Sequence, residues 1–356
     1  MIARRRSPTL VHTMNALPDT RTRDRAIATW LLVCCGFVFA MVVLGGVTRL
    51  TGSGLSMAEW RPIMGALPPL SDAEWQRVFE IYKQTPEFQK VNSHMDVHDF
   101  KGIFWLEYLH RLLGRLLGFA FLLPLIYFVS RSYITLRQLP WYLLMLALGG
   151  VQAVIGKVMV ASGQVDAPQV SHYRLTAHLS AAFLVYALMF WRAQSLLHGT
   201  SRGTPHPWYR RTIALTVLIA ITIVSGGFVA GLDAGLIYNT FPKMGDHWIP
   251  PGLLALDPAW RNFFDNLTTV QFDHRLLALT TFALIAVYWL KARTAGLPGH
   301  ARSGANALLV TAVLQVLLGI STVVLAVPTL PAVSHQATAL LLLTSALYLL
   351  HALRRG

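Results

Sequence analysis

Ionisable side chains interrupt several stretches of this sequence that are otherwise apolar. They are Glu107, His110, Arg111, Arg115, Lys157, His172, His178, Asp273, His274, Arg275 and His335. Such groups are costly to place in an apolar environment, so their presence there usually indicates a chemical role. A single histidine of this kind is more often a hydrogen-bonding residue, but here His110 and His274 each begin a His-Arg-Leu-Leu motif. The repetition indicates a shared function.

Histidines on two facing helices can supply both axial nitrogens of a haem iron, as in membrane b-type cytochromes. His110 and His274 occupy matching positions in the two parts of the chain, and His178 and His335 each lie on a later apolar stretch. The pairs His110 with His178 and His274 with His335 therefore predict two haem positions.

The partner of His110 has two candidates. Extending the match between Gln152 and Gln315 without a gap aligns His335 with His172 rather than with His178. His172 lies at the edge of its apolar stretch, where it would suit a haem propionate or a water. His178 lies nearly two helical turns deeper, and this depth favours it as the ligand.

A carboxylate distinguishes the two histidine sites. Glu107 precedes His110 by three residues, so one helical turn separates them and their side chains face the same pocket. The corresponding residue before His274 is the neutral Gln271. A buried carboxylate is costly unless it takes up or releases a proton, which predicts a chemical role for Glu107.

Arginines near the histidines are candidate ligands for haem propionates, because a guanidinium fork matches a carboxylate. Arg275 would serve the site of His274 and His335. The candidates for the other site are Arg49, Arg111, Arg115 and Arg174. The alternative for any one of them is interfacial snorkelling. An ion pair of Arg111 or Arg115 with Glu107 would instead make that glutamate structural.

The elements that must position these residues are membrane helices. The chain of 356 residues is 54% hydrophobic and 13% charged, whereas soluble domains carry roughly 25% charged residues. This composition excludes a soluble enzyme and a nucleic-acid reader. Eight apolar stretches have about the 20 residues that a bilayer requires. They cover 26–47, 103–129, 140–160, 172–194, 212–231, 267–290, 305–327 and 334–352.

Basic residues indicate the orientation of these spans. More than half of the 30 Lys and Arg residues fall in the N-terminal segment, the loops after the second, fourth and sixth spans, and the C-terminus. The positive-inside rule places these segments, and so both termini, in the cytoplasm. The net charge of +14 is therefore a topology signal. We expect a bacterial inner membrane, with a mitochondrial inner membrane as the alternative.

The chain contains an internal repeat. Gly45-Gly46 and Gly54-Leu55 recur as Gly226-Gly227 and Gly235-Leu236, and Pro62-x-Met64-Gly65 recurs as Pro242-x-Met244-Gly245. The repeat predicts an all-α integral membrane protein of two tandem, parallel four-helix bundles related by pseudo-twofold symmetry. The predicted segments are an N-terminal segment 1–25, a first half 26–195, a linker 196–211 and a second half 212–356.

The outer connections of the two halves differ. Residues 48–102 form a long loop, in which Trp75, Val78 and Phe79 fall at helical spacing together with Tyr82. This spacing predicts an amphipathic helix at 71–83 that covers part of the first half.

At these residues the chain resembles the haem A synthase family, particularly its proteobacterial and mitochondrial branch. The motifs are Gly45-Gly46-Val47-Thr48-Arg49-Leu50-Thr51-Gly52-Ser53-Gly54-Leu55-Ser56, Glu59-Trp60, Glu107-Tyr108-Leu109-His110-Arg111-Leu112-Leu113-Gly114-Arg115, Tyr173-Arg174-Leu175-Thr176-Ala177-His178, Asp273-His274-Arg275 and His335-Gln336. The resemblance covers essentially all eight spans. It implies oxidation of the ring D methyl group of haem O to the formyl group of haem A, for terminal cytochrome oxidases.

The same resemblance implies roles for individual residues. A resident haem b would bind His274 and His335, and the substrate haem would lie near His110 and His178, with Glu107 as the catalytic carboxylate. The resemblance also supports His178 over His172. This sequence lacks the paired outer-loop cysteines of another branch of the family, so a thiol-assisted step is not expected.

Two other functions compete with this one. A two-haem electron-transfer cytochrome that oxidises quinol would hold two permanent, equivalent haems. A non-catalytic haem carrier would have one exchangeable site and no role for Glu107. The difference between Glu107 and Gln271 favours the oxidoreductase. Its expected partners are haem O, the haem O synthase that supplies it, an electron acceptor such as a quinone, and the lipid bilayer; a homo-oligomer is compatible with the sequence.

Overall fold

A computed structural model describes residues 19–59, 67–163, 168–199 and 204–354. Most of the predicted N-terminal segment and the motif that contains Pro62, Met64 and Gly65 lie outside these ranges. Most of the described residues are helical, and none of them lies in a strand.

Eight helices of the described chain are long and apolar enough to cross a membrane, which confirms the eight predicted spans and a multi-pass membrane protein. They are α1 (Thr20–Leu50), α3 (Val97–Ser130), α4 (Leu139–Ser162), α5 (His172–His198), α6 (Tyr209–Gly231), α8 (Leu267–Ala292), α9 (Gly299–Val324) and α10 (Thr329–Leu353). Two shorter helices, α2 (Asp72–Lys83) and α7 (Asn262–Asp265), lie in the connections.

The helices begin and end at different residues from the apolar stretches. The first helix begins at Thr20, inside the predicted N-terminal segment, because a helix continues into the polar interface beyond the hydrocarbon. The seventh predicted span, about 305–327, corresponds to α9, which ends at Val324. Ala326 and Val327 both adopt a φ of 59°, so an apolar but left-handed turn ends this helix.

Four helices form the centre of the molecule. The helices α1, α5, α6 and α10 pack against one another, with α1 against α5 and α10, and α6 against the same two helices. The remaining spans lie outside this centre: α3 packs on α1, α4 on α5, α8 on α6 and α9 on α10. The histidine-bearing helices are therefore two central helices, α5 and α10, and two peripheral helices, α3 and α8.

The predicted amphipathic helix at 71–83 is confirmed by α2. The hydroxyl oxygen of Ser71 caps it by accepting a hydrogen bond from the backbone N–H of Glu74 at 3.3 Å. Trp75, Phe79 and Tyr82 are buried, and their rings pack against the aromatic start of α3. The second half has no such cover among its described residues, because the connection between α6 and α8 contains only short helical turns and α7.

Candidate functional site

Each of the four predicted ligand histidines lies against a glycine of a neighbouring helix. The pairs are His110 with Gly45, His178 with Gly156, His274 with Gly226 and His335 with Gly319. A Cβ atom added to these glycines would lie between 2.9 and 3.2 Å from the nearest imidazole atom. A residue larger than glycine at any of these positions would therefore collide with the imidazole. The same arrangement occurs in both halves.

The structure brings the predicted histidine pairs together. The imidazole of His110 is close enough to that of His178 to interact with it electrostatically, and the same holds for His274 and His335. The two helices that carry His110 and His178 pack mainly on other helices and not on each other. Helix α3 packs on α1 and α4, and α5 packs on α1, α4 and α6. The two imidazoles thus approach each other across a boundary between helices.

Hydrogen bonds orient the histidines of the second half. The Nδ1 atom of His274 lies 2.8 Å from the hydroxyl of Ser225, and Nδ1 of His335 lies 3.1 Å from the carbonyl oxygen of Gln315. Such bonds fix the ring and tautomer of metal-binding histidines. In the first half, Nδ1 of His178 is buried and has no hydrogen-bond partner among the described residues. The second half is therefore the more preorganised of the two.

These donors fit an iron porphyrin. Each pair offers two imidazoles within an apolar bundle, which is the ligand set of a six-coordinate haem. The glycines hold each ring against its neighbouring helix, and the buried Nδ1 atom of His178 still lacks a partner, as expected of a polar group beside a ligand. His274 and His335 would hold one haem, and His110 and His178 the other.

Glu107 is buried, with 3% of its surface exposed, and its carboxylate has three donors. Its Oε2 atom accepts hydrogen bonds of 2.7 Å from the Ser56 hydroxyl and from the backbone N–H of Met57. Its Oε1 atom forms an ion pair with Arg111. These partners compensate for the cost of burying a charge. The ion pair is the contact that would also be expected of a structural glutamate.

At the matching position of the second half, the side chain donates a hydrogen bond to a backbone carbonyl instead of accepting one from a backbone N–H. Gln271 is also buried, but its amide nitrogen donates to the carbonyl oxygen of Tyr238 at 3.0 Å. In the repeat, Tyr238 corresponds to Met57, whose N–H donates to Glu107. Arg275 donates to the same Tyr238 carbonyl at 2.7 Å. The two halves therefore share a framework, and only the first places a negative charge in it.

Two of the remaining predicted arginines, Arg49 and Arg174, bind protein groups near the ends of helices. Arg49 forms an ion pair with Asp233 and donates to the carbonyl of Ala230, so it ties the first half to the C-terminal end of α6. Arg174 donates to the carbonyl of Val158 at 2.8 Å. Arg115 lies one turn beyond Arg111 and is partly buried. Their predicted contact with haem propionates stays a prediction.

The structure places His172 away from the histidine pairs. Its Nε2 atom lies 3.0 Å from Asp265, which ends α7 in the second half. Asp265 also accepts hydrogen bonds from the Tyr173 hydroxyl at 2.8 Å and from Arg261 at 3.0 Å. Burial opposes ionisation, but these hydrogen bonds hold the pKa of Asp265 below its ordinary value. This cluster ties the two halves together.

Several partners of the site were not predicted from the sequence. They are Ser56, Met57, Ser225, Tyr238 and Asp265. None stands at a helical spacing from the residue it contacts, and each comes from a distant part of the chain. The repeated glycines were the available signal, since Gly45 and Gly226 recur at the positions that contact the histidines.

Comparison with known proteins identifies close relatives of this chain. A family model described as a cytochrome oxidase assembly protein, COX15-CtaA, matches residues 28–347. Heme A synthase of Nitrosospira multiformis is 52% identical over 337 residues, which cover 93% of this chain and 94% of that protein. Heme A synthase COX15 of Mus musculus is 44% identical over 350 residues, which cover 96% of this chain and 84% of that protein. These relatives come from a bacterium and an animal.

The contact between Gly319 and His335 is open to a direct test. We expect Gly319→Ala to displace the imidazole, because the added Cβ would lie 2.9 Å from its Cε1 atom. Loss of ligand orientation typically lowers metal affinity about 10- to 100-fold. The measurement is the amount of haem that co-purifies with the protein, followed by haem titration. Gly118→Ala is the matched control, since its Cβ would meet no atom within 4 Å. Equal haem binding by the two variants would contradict the expectation.

Proposed function

Because this chain belongs to the COX15-CtaA family of cytochrome oxidase assembly proteins, we propose that it is a membrane oxidoreductase that converts haem O to haem A. The reaction would oxidise the ring D methyl group to a formyl group for cytochrome oxidase. The observation that carries the proposal is Glu107, a buried carboxylate one turn from His110. The second histidine site matches the first but has Gln271 in that place.

We assign the resident haem b to His274 and His335, and the substrate haem O to His110 and His178. The hydrogen bonds of His274 to Ser225 and of His335 to Gln315 support this assignment, since a permanent cofactor benefits from preoriented ligands. The less constrained His178 suits a haem that must arrive and leave. When bound, haem b would supply a one-electron acceptor beside the substrate site.

Glu107 would stabilise positive charge during the reaction. Electrons leave the methyl carbon as it is oxidised first to an alcohol and then to a gem-diol, which loses water to give the aldehyde. A carboxylate held by Arg111, Ser56 and Met57 presents a fixed negative charge next to the carbon that becomes electron-poor. Because Glu107 is already paired with Arg111, this electrostatic role is better supported than a role as the sole proton acceptor.

We further propose that the two halves are tandem four-helix bundles with pseudo-twofold symmetry, covering 26–195 and 212–356. Matching contacts support this arrangement. Arg111 donates to the carbonyl of Met57 at 3.0 Å, as Arg275 does to that of Tyr238 at 2.7 Å. The four histidine–glycine contacts also correspond in pairs. The N-terminal segment 1–25 and the linker 196–211 would then lie on the same side of the membrane.

The same proposal gives the location and the partners. The basic loops would keep both termini in the cytoplasm, and the histidine pairs would lie in the outer half of an inner membrane. Haem O synthase would supply the substrate, and a quinone would accept electrons from haem b.

A two-haem electron-transfer cytochrome is the second candidate. The near-identical histidine–glycine contacts of the two halves favour it, because they are compatible with two equivalent permanent haems. In that case Glu107 would serve only to neutralise Arg111. The haem content of the protein distinguishes the two functions.

We expect the purified protein to hold one tightly bound haem b together with a substoichiometric amount of haem O or haem A. The unequal hydrogen bonding of His178 and His335 is the reason, since only the second site is preorganised. Acid extraction and mass analysis of the porphyrins measure the content, and exchange with added haem measures its tightness. Two stoichiometric haem b groups that resist exchange would favour the cytochrome.

Substitution of single histidines should separate the two sites. We expect His274→Ala or His335→Ala to abolish the low-spin haem b spectrum, because either change removes one of the two imidazole ligands of the iron. His110→Ala should retain that spectrum and mainly lower haem A formation. Optical spectra of the purified variants and porphyrin analysis of the cells are the measurements. Loss of the tightly bound haem b in His110→Ala would reverse the assignment of the halves.

Glu107→Gln should separate haem binding from chemistry. The framework accepts an amide at this position, as Gln271 shows, so the histidine ligands and haem b should stay in place. Removing the carboxylate should lower the rate of haem A formation about 10²- to 10⁴-fold. Porphyrin analysis should show accumulated haem O, with or without the alcohol intermediate.

Glu80→Gln is the matched control for this experiment. Glu80 is exposed on α2 and pairs with Lys83, so the same chemical change there should not affect haem A formation. A normal haem A yield from stably folded Glu107→Gln would show that Glu107 is structural and only pairs with Arg111.

A further inference from the structure

Two glycines leave an opening between α3 and α4 in the first half. Gly118 follows Glu107 by eleven residues, about three helical turns, so both lie on the same face of α3. Gly149 lies seven residues, about two turns, before Gly156, which contacts His178, so it lies on that face of α4. Both Gly118 and Gly149 are nevertheless exposed, and an added Cβ atom at either would meet no atom within 4 Å. A methyl group at either position would therefore leave the opening unfilled.

The second half has side chains at the matching positions. In the repeat, Gly118 corresponds to Phe282 and Gly149 to Ala312. Only 2% of the surface of Ala312 is exposed, and Phe282 packs against the apolar cluster to which Ala312 belongs. Helices α8 and α9 also pack on each other more extensively than α3 and α4 do. The same level of the bundle is therefore open in the first half and closed in the second.

The opening lies beyond the histidine pair, on the side away from α2. Gly118 lies eight residues after His110, which corresponds to about 12 Å along α3. Gly149 lies about 10 Å along α4 from the glycine that contacts His178, in the same direction. One turn beyond Gly118, Phe121 is buried in the core cluster of the first half. The opening is therefore confined to one level of the bundle.

A buried acceptor beside the opening indicates a ligand there. Gln152 lies one turn from Gly149, and its amide nitrogen donates to the carbonyl oxygen of His178 at 2.9 Å. Its Oε1 atom is buried and has no hydrogen-bond partner among the described residues. Gln315 of the second half has the same unpaired oxygen. These oxygens mark both halves as ligand sites, and the residues at the matched glycine positions distinguish the two halves.

The chemistry of the two haems identifies an occupant. Haem O carries a long isoprenoid chain, with a hydroxyl at its base, where haem b carries a vinyl group. The chain stands on the porphyrin edge opposite the propionates. The candidate propionate ligands Arg49 and Arg174 lie at helix ends on the side of α2. A haem in the first site would therefore direct its chain towards Gly118 and Gly149, with its hydroxyl near Gln152.

We propose that the opening between α3 and α4 is a slot for the isoprenoid chain of haem O, and that Phe282 and Ala312 close the equivalent slot of the second half. The proposal rests on the function given above and names the groups by which each half selects its haem. Leu116 and Phe119, beside Gly118, are exposed on the outside of α3. The chain can thus continue from the slot into the lipid without meeting a polar surface.

The test is haem binding by the purified, full-length protein that already holds its haem b. Haem O and haem b are titrated separately, and binding to the first site is followed by optical spectra. Gly118→Phe places the ring of Phe282 in the slot and should weaken haem O binding about 10- to 100-fold, because overfilling an apolar space is unfavourable. Binding of added haem b to the same site should stay as in the wild type.

Leu123→Phe is the matched control for this substitution. It adds the same ring to α3 at a position that is 60% exposed to the lipid, so both affinities should be unchanged. Gly149→Leu fills the slot from α4 with a smaller side chain and should also weaken haem O binding selectively. This second variant keeps the test decisive if Gly118→Phe does not fold.

The reverse substitution should open the second half. We expect Phe282→Gly combined with Ala312→Gly to let haem O replace part of the resident haem b during incubation, whereas the wild type should exchange none. Extraction and mass analysis of the porphyrins measure the exchange.

The outcomes separate the slot from the proposed function. Equal weakening of haem O and haem b binding by the slot-filling variants would overturn the slot, since the added side chains would then act on the histidine pair. Unchanged haem O binding would overturn it too, leaving a lipid chain as the occupant. A wild-type protein that binds haem O selectively but forms no haem A would overturn the proposed function and leave the slot in place.

Discussion

Close contact between an imidazole and a glycine is the constraint on which the rest of the structure depends. An imidazole in an apolar bundle needs both space and orientation, and a glycine on the neighbouring helix provides the space. At each of the four histidines, a Cβ atom on that glycine would come within 3.2 Å of the ring. Each contact joins a central helix to a peripheral one, so α3, α4, α8 and α9 can pack closely on the centre with the histidines at these contacts.

Polar contacts between the halves complete this frame. Arg49 of α1 binds Asp233, His172 of α5 binds Asp265, and the amide of Gln336, next to His335, donates to the carbonyl of Val42 at 2.7 Å. The last contact places the neighbour of a second-half histidine on the helix that supports His110. The two histidine pairs are thus held in one packed unit.

The chemical difference between the halves comes from few substitutions in a shared backbone. Residues Met57 and Tyr238 occupy matching places, but the first offers its N–H to a carboxylate and the second offers its carbonyl to an amide. One half therefore carries a fixed negative charge, and among the described residues only that half carries the aromatic cover formed by α2 and α3. A repeated fold with one altered site can combine a permanent cofactor with a reacting one.

The sequence by itself determined the eight membrane helices and the spacing of the candidate residues along them. Bilayer thickness sets the length of each span, and helical periodicity places Glu107 beside His110, so both can be read from composition and spacing. Only the tertiary structure decided which distant loop residues complete the site. The contacts of Glu107 with Met57 and of His172 with Asp265 depend on irregular turns and packed loops. Neither hydropathy nor the sequence repeat predicts these contacts, because they depend on how distant segments of the chain fold together.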